Sequence, residues 1–226
     1  INLMREKESR VLTRGSSTLR FLQGLGIQDA HVGSCPSIFA TEPATIAKFS
    51  TEKLLTCGHF PRPSALGIPE DSFAGHIAQG DGIESRYRQR RGLDPNRRYI
   101  PGFLSRWRAD PEAYGALDWA VKRKAAHFPP CVESWQDLLR RATGLIGTRL
   151  HGSLFALLTG IPALNFHSDV RTVETLAVFG LSPAQRSAIS GSDSLVRLAQ
   201  DCQSAYSQFP EAVAEARKAQ LALLDE

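Results

Sequence analysis

The chain has 226 residues, of which 42% are hydrophobic, 22% charged and 8% aromatic, and its formal net charge is +4 at pH 7. This length suits one large domain or two small ones with a sizeable core. The composition excludes a disordered, collagen-like or coiled-coil chain.

In chain order, Arg10-Val11-Leu12-Thr13 reads as a strand. Gly15-Ser16-Ser17-Thr18 is then a turn and N-cap into a helix that carries Leu19, Phe21, Leu22 and Leu25 at helical spacing and stops at Gly24-Leu25-Gly26. Ala30-His31-Val32 is a second short strand, ending at Gly33-Ser34-Cys35-Pro36-Ser37, and Lys53 to Cys57 is a third. Residues 58–100, rich in Gly, Pro and Arg, offer only weak strand candidates near His76 and Tyr99.

Residues 84–108 hold Arg86, Arg88, Arg90, Arg91, Arg97, Arg98, Arg106 and Arg108 against Glu84 and Asp94, so the rest of the chain is slightly acidic. Such a block either attracts an anionic sugar, a nucleotide, a membrane surface or a nucleic acid, or is a solvated face. Tyr87, Tyr99 and Trp107 interleave with it, but no nucleic-acid motif is present.

A helix is expected from Pro111 to Phe128, with Pro111 at its first position, and a short one over Ser134 to Ala142, with Ser134 as cap. Thr143 to Gly147 reads as a strand, His151 to Thr159 as a helix and Ala163 to Phe166 as a strand. The 19 residues from Leu150 to Ser168 contain no Asp, Glu, Lys or Arg and have the length of a membrane span. Gly160-Ile161-Pro162 would stop a helix midway, so a buried helix followed by a buried strand is expected instead. Thr172 to Phe179 is expected to be helical with Val173, Leu176 and Ala177 inward, and the tail from Ser192 helical with a break at Pro210. The alternation is that of an α/β protein with a parallel sheet covered by helices.

Cys35, Cys57, Cys131 and Cys202 lie far apart with no C-x-x-C pair, and they read as reduced core thiols of a cytosolic protein. Cys35-Pro36-Ser37 reads as a strand exit rather than a nucleophile. His31, His59, His76 and His127 are scattered without metal-ligand spacing, so no metal site is expected.

The chemistry concentrates in Gly147-Thr148-Arg149-Leu150-His151-Gly152 and in His167-Ser168-Asp169-Val170-Arg171-Thr172. In open α/β sheets ligands bind beyond the carboxyl ends of the strands. Arg149 and His151 fall just after one expected strand, and His167, Asp169 and Arg171 just after the next. If those strands are neighbours, five polar groups converge. A histidine in the first turn of a helix can hold a phosphate and move a proton near neutral pH, and Arg149 can grip a carboxylate or phosphate at two points. The competing reading is that Arg149 and His151 only cap the helix. Arg14-Gly15 repeats the geometry at the start of the chain, where a turn bearing hydroxyls at a helix start either suits an anion or is only a cap.

These residues resemble the polysaccharide pyruvyl transferase family. The resemblance rests on Gly147 to Gly152, Gly160-Ile161-Pro162-Ala163 and His167 to Thr172, with Arg14-Gly15-Ser16-Ser17-Thr18 and Ser34-Cys35-Pro36-Ser37-Ile38-Phe39 upstream. It implies a fold like the two-domain GT-B glycosyltransferases, with Rossmann-like halves facing across a cleft. On that pattern, residues 1–45 are the end of an N-terminal half and 46–226 a C-terminal half, so the chain is expected to be a shortened or incomplete form. The resemblance further implies transfer of pyruvate from phosphoenolpyruvate onto two hydroxyls of a sugar, making a ketal, with no cofactor. His151 and Arg149 are then the catalytic pair. Arg14, Gly15, Leu150, Gly152, His167, Asp169 and Arg171 are the substrate-binding set, Arg171 standing where some members have lysine. The implied partners are phosphoenolpyruvate and a sugar or oligosaccharide acceptor, nucleotide- or lipid-linked acceptors included, and no nucleic acid. The expected location is the cytoplasm, with a peripheral position on the inner face of the membrane and a homo-oligomer both left open. Two other readings stand beside this one. They are a glycosyltransferase of the same fold with a nucleotide-sugar donor, and a non-catalytic domain that binds an anion or polysaccharide.

Overall fold

Short apolar runs form most of the parallel strands of this protein. The computed structural model describes residues 11–78, 111–129, 131–166 and 169–225. The Arg-rich block, the candidate strand near Tyr99 and His167 lie outside the described residues.

Two sheets are present among them. The smaller pairs β1 (Val11–Thr13) with β2 (Ala30–Val32) in parallel, joined by helix α1 (Ser16–Gly24). The larger has β3 (Leu54–Cys57), β4 (Phe73–Ile77), β5 (Ala126–His127), β6 (Gly144–Gly147) and β7 (Ala163–Asn165), in the order β5-β4-β3-β6-β7 and all parallel. The remaining helices are α2 (Pro111–Lys122), α3 (Val132–Leu139), α4 (Leu150–Leu158), α5 (Val170–Ala177), α6 (Ser192–Asp201) and α7 (Gln203–Asp225), with a 3₁₀ turn η1 (Pro36–Phe39) after β2. The expected α/β class is what the chain adopts.

The five-stranded sheet is buried on both sides because alternate residues feed two apolar clusters. Leu55, Cys57, Ile77, Leu145 and Ala163 face a layer that includes α4, α5 and α7. Leu54, Phe73, Ile146 and Leu164 face Ala116, Trp119 and Ala120 of α2 and Leu195 and Ala199 of α6. The apolar stretch from Leu150 resolves into buried helix α4 and buried strand β7, as the Gly-Ile-Pro stop requires. No helix among the described residues is long and apolar enough to cross a membrane.

Four local expectations are corrected. Helix α2 ends at Lys122, because Lys124 takes a left-handed φ of 58° and Ala126–His127 then pairs with β4 as an edge strand. Sheet pairing there overrides the helical propensity of the sequence. Helix α3 starts at Val132 with Cys131 as its cap, which leaves Cys131 exposed rather than in the core, and the Oγ of Ser134 donates to the Cys131 carbonyl at 2.9 Å.

Helix α5 buries Thr172, Thr175 and Leu176, whereas Val173 and Ala177 are exposed. Thr175 Oγ1 donates to the Arg171 carbonyl at 2.8 Å, so its hydroxyl is satisfied within the helix and the residue can face a core. The C-terminal break falls at Cys202, and Pro210 lies inside α7. Buried Tyr206 and Phe209 anchor the helix just before that proline, and the Tyr206 hydroxyl donates to the Ala163 carbonyl at 3.0 Å.

Candidate active site

The chain runs from β3 outward through β4 to β5 and then returns to β6 on the other side of β3, so strand order reverses between β3 and β6. Such a switch point leaves a crevice at the carboxyl ends of the two strands. Gly58-His59 leaves β3 there and Thr148-Arg149 leaves β6. The exits are stitched together: Thr148 N–H donates to the Cys57 carbonyl at 3.1 Å, and His59 N–H donates to Thr148 Oγ1 at 2.9 Å.

Gly58 allows this closeness. Its φ is +74°, and a Cβ there would lie 2.6 Å from Arg149 Cγ and 2.7 Å from Thr148 Oγ1. Gly147 is equally constrained, a Cβ at that position falling 2.5 Å from the Cys57 sulfur. Burial pushes the Cys57 thiol up to about 12 in spite of a hydrogen bond and the positive charge of Arg149, so Cys57 is a neutral packing residue.

Arg149 is the half-buried N-cap residue of α4, and His151 is in the first turn. Every residue of α4 is buried except His151. A helix that is apolar all round thus offers one solvent-facing side chain, at the end where free N–H groups and the helix dipole favour anions. Leu150 and Gly152 beside it are buried, and Leu150 belongs to the core.

Strands β6 and β7 are neighbours, which was the condition for the second motif to join the first. Of that motif, Asp169 caps α5, its carboxylate accepting from Thr172 N–H at 2.7 Å, and it lies 3.6 Å from the exposed Arg171 guanidinium. Arg14 is exposed after β1, and Gly15 is the N-cap residue of α1.

The anion at the start of α1 is the protein's own Glu174, from α5. Its carboxylate accepts from Ser17 N–H and from Ser16 Oγ, the latter at 3.2 Å, and these bonds hold it below the usual carboxylate range. A Cβ on Gly15 would overlap that carboxylate. This contact ties the small sheet's helix to the motif that follows β7.

Three of the four histidines that look scattered in sequence gather at the same end of the large sheet, while His31 lies in β2 of the small one. His59 follows β3, His76 is next to last in β4 and His127 ends β5, and the charges of His127, His59 and Arg149 all act on His76. His76 is fully buried, with Nδ1 2.8 Å from Thr56 Oγ1. Among the described residues no group of three or more His, Cys, Asp or Glu is arranged to hold a metal ion. The sequence signal for this cluster is that each histidine lies within two residues of a strand's carboxyl end, which becomes meaningful only once strand order is known.

Burial first, and then those neighbouring positive charges, push the His76 imidazole from its ordinary 6.5 down to about 3. Burial also lowers His127. Between those two values the unfolded chain binds a proton that the folded chain refuses. Stability is therefore complete above pH 6.5 and falls as the pH drops through the window towards 3. Urea unfolding is expected to give about 2 kcal/mol less stability at pH 5 than at pH 7, from a slope of about 1.4 kcal/mol per pH unit. An unchanged or higher stability at pH 5 would refute the buried neutral histidine.

The second exposed-to-buried contrast involves Cys35. It is 1% exposed at the start of η1, where Ser37 Oγ donates to its sulfur at 3.0 Å. Turn η1 packs on α4, the helix that carries His151. Burial pushes the Cys35 thiol up, but hydrogen bonds from His151 and Ser37 and the charge of His151 outweigh it and bring the thiol down to about 7.

A comparison of the whole chain with curated proteins finds no match. The profile of the polysaccharide pyruvyl transferase family does match, over residues 2–169. That span takes in the small sheet, the switch point and helix α4 with its single outward histidine. On more than half of its length, then, this chain is a member of the polysaccharide pyruvyl transferase family.

Proposed function

We propose that this protein transfers pyruvate from phosphoenolpyruvate to a sugar of a surface or exopolysaccharide, or of its precursor, as a ketal, with the reaction centred on His151 and Arg149. Family membership implies pyruvyl transfer to polysaccharides. The donor and the residue roles are our reading. The observation that carries it is the pairing of a half-buried arginine and the one exposed residue of a buried helix at the reversal of strand order.

The chemistry needs such a pair. Phosphoenolpyruvate carries a phosphate and a carboxylate. Its methylene carbon takes a proton to become a methyl group, and the neighbouring carbon gains oxocarbenium character. Two sugar hydroxyls form bonds to that carbon as its bond to the phosphate oxygen breaks. One hydroxyl proton replaces the proton delivered to the methyl group and the other leaves with phosphate. His151 is the proton donor, and Arg149 and the N–H groups at the start of α4 stabilise the departing phosphate. Arg14, Arg171 and His167 belong to the donor and acceptor surround, with Asp169 holding Arg171.

Calorimetric titration with phosphoenolpyruvate, inorganic phosphate, UDP and a UDP-sugar tests the donor. Saturable binding of phosphoenolpyruvate is expected, lost in Arg149→Ala. Binding confined to the UDP ligands would overturn the reading in favour of a nucleotide-sugar donor on a shared fold.

A further inference from the structure

We propose that Asn165 and Ser153 form a buried positioning pair for Arg149, tying the cap of α4 to strand β7 so that the arginine meets the donor at a fixed place in the crevice. The inference rests on the pyruvyl-transfer reading for what Arg149 does, but not for the geometry that holds it.

The pair is a short directed chain of hydrogen bonds. Asn165 ends β7 and is 3% exposed, and Ser153, one turn after the cap of α4, is 1% exposed. Asn165 Nδ2 donates to Ser153 Oγ at 3.0 Å, and Ser153 Oγ donates to the Arg149 carbonyl at 3.3 Å. A hydroxyl has one proton, and an amide nitrogen cannot accept it. The contact with Asn165 therefore leaves that proton for the Arg149 carbonyl, which also accepts Ser153 N–H at 3.1 Å.

Neighbouring bonds show what the pair completes. Asn165 is the register partner of Gly147, the last residue of β6, and Phe166 N–H donates to the Gly147 carbonyl at 2.7 Å. On the other side, Thr148 N–H donates to the Cys57 carbonyl at 3.1 Å. Three successive residues at the exit of β6 are thus each held from a different point. Gly147 is held by the chain leaving β7, Thr148 by β3, and Arg149 by the Asn165–Ser153 chain.

Packing alone does not call for these two polar side chains. They sit beside Leu154, Leu157, Leu158 and Ala163 of the apolar cluster around α4 and β7. Replacing both partners of a buried hydrogen bond by apolar groups is nearly neutral for stability, whereas removing one partner strands the other. An apolar pair would fill the same place but could not bond the Arg149 carbonyl. Stability and positioning can therefore be separated by experiment.

The decisive variant is the double change Asn165→Leu with Ser153→Ala, set beside Asn165→Leu and Ser153→Ala alone. Urea midpoints are expected to fall in the single variants and to recover most of that loss in the double one. Amide hydrogen exchange, read by NMR without any substrate, then reports on the cap. The residue-153 N–H of the double variant is expected to exchange at least tenfold faster relative to the Leu157 N–H of the same helix. An unchanged ratio overturns the pair. The ratio is internal to one helix, so it can be read in Ser153→Ala alone if the double variant folds poorly. Donor affinity tests the role. Calorimetry is expected to give about tenfold weaker phosphoenolpyruvate binding in the double variant, with KM for the donor rising in step and kcat falling less. Donor affinity that recovers together with stability shows a purely structural pair and overturns the role. Absence of phosphoenolpyruvate binding in the unmodified chain would overturn the proposed function and the role with it, whereas amide exchange would still decide whether the pair holds Arg149.

Discussion

Replacing His151 by alanine is expected to lower pyruvyl transfer by about 100-fold or more, because a positioned proton donor contributes roughly 10²–10⁴-fold. The same change is expected to cost the fold almost nothing. His151 is the exposed residue of a helix whose other residues are buried, and surface substitutions of this kind stay within about 0.5 kcal/mol. For a chain of this size that is a shift in Tm of about 2 °C or less. Phosphate release from phosphoenolpyruvate in the presence of a sugar acceptor, run beside a thermal melt, measures both. A variant that keeps more than about a tenth of the rate would remove the proton-transfer role, since the lower end of the range for such roles is about 100-fold. A large fall in Tm would instead mean that the histidine is part of the packing, which is the helix-capping alternative raised by the sequence.

Gly58→Ala is expected to damage fold and site together. At φ +74° an alanine costs about 1–2 kcal/mol in the backbone alone. Its Cβ would also fall 2.6 Å from Arg149 Cγ and 2.7 Å from Thr148 Oγ1, and displacing such neighbours adds about 1–3 kcal/mol. A destabilisation of about 3 kcal/mol follows, or about 6–12 °C in Tm. The displaced arginine side chain should also weaken phosphoenolpyruvate binding at temperatures where the variant is still folded. Gly24→Ala is the control, because a Cβ there meets nothing within 4 Å. Gly58→Ala behaving like Gly24→Ala, in both stability and donor binding, would show that the two strand exits are not coupled through this contact.

The uneven legibility of the sequence has physical causes. Strands β2, β3, β6 and β7 and helix α4 are readable because each is a short apolar run bounded by Gly, Pro or a cap. Local pattern and tertiary environment agree there. Strand β5 is not readable, since Ala126-His127 has no apolar alternation and becomes a strand only by pairing with His76 and Ile77. The inward face of α5 is misread for a related reason. Thr175 looks polar until its hydroxyl is satisfied by the Arg171 carbonyl, after which it packs much as a valine would.

At the candidate site, the sequence by itself determined the α/β class, the family and the residues around α4. These depend on composition, short-range periodicity and contiguous motifs. The order of the strands was decided only in three dimensions, and much follows from it. It puts Gly58 of one strand exit against Arg149 of another and collects His59, His76 and His127 at one end of the sheet. It sets Glu174 over the start of α1, and turn η1 against α4, although more than a hundred positions separate each of these pairs in the chain. The reason is that pairing between parallel strands and docking of helices are long-range choices. They are made by which apolar faces best cover one another, and no local window of sequence contains both partners.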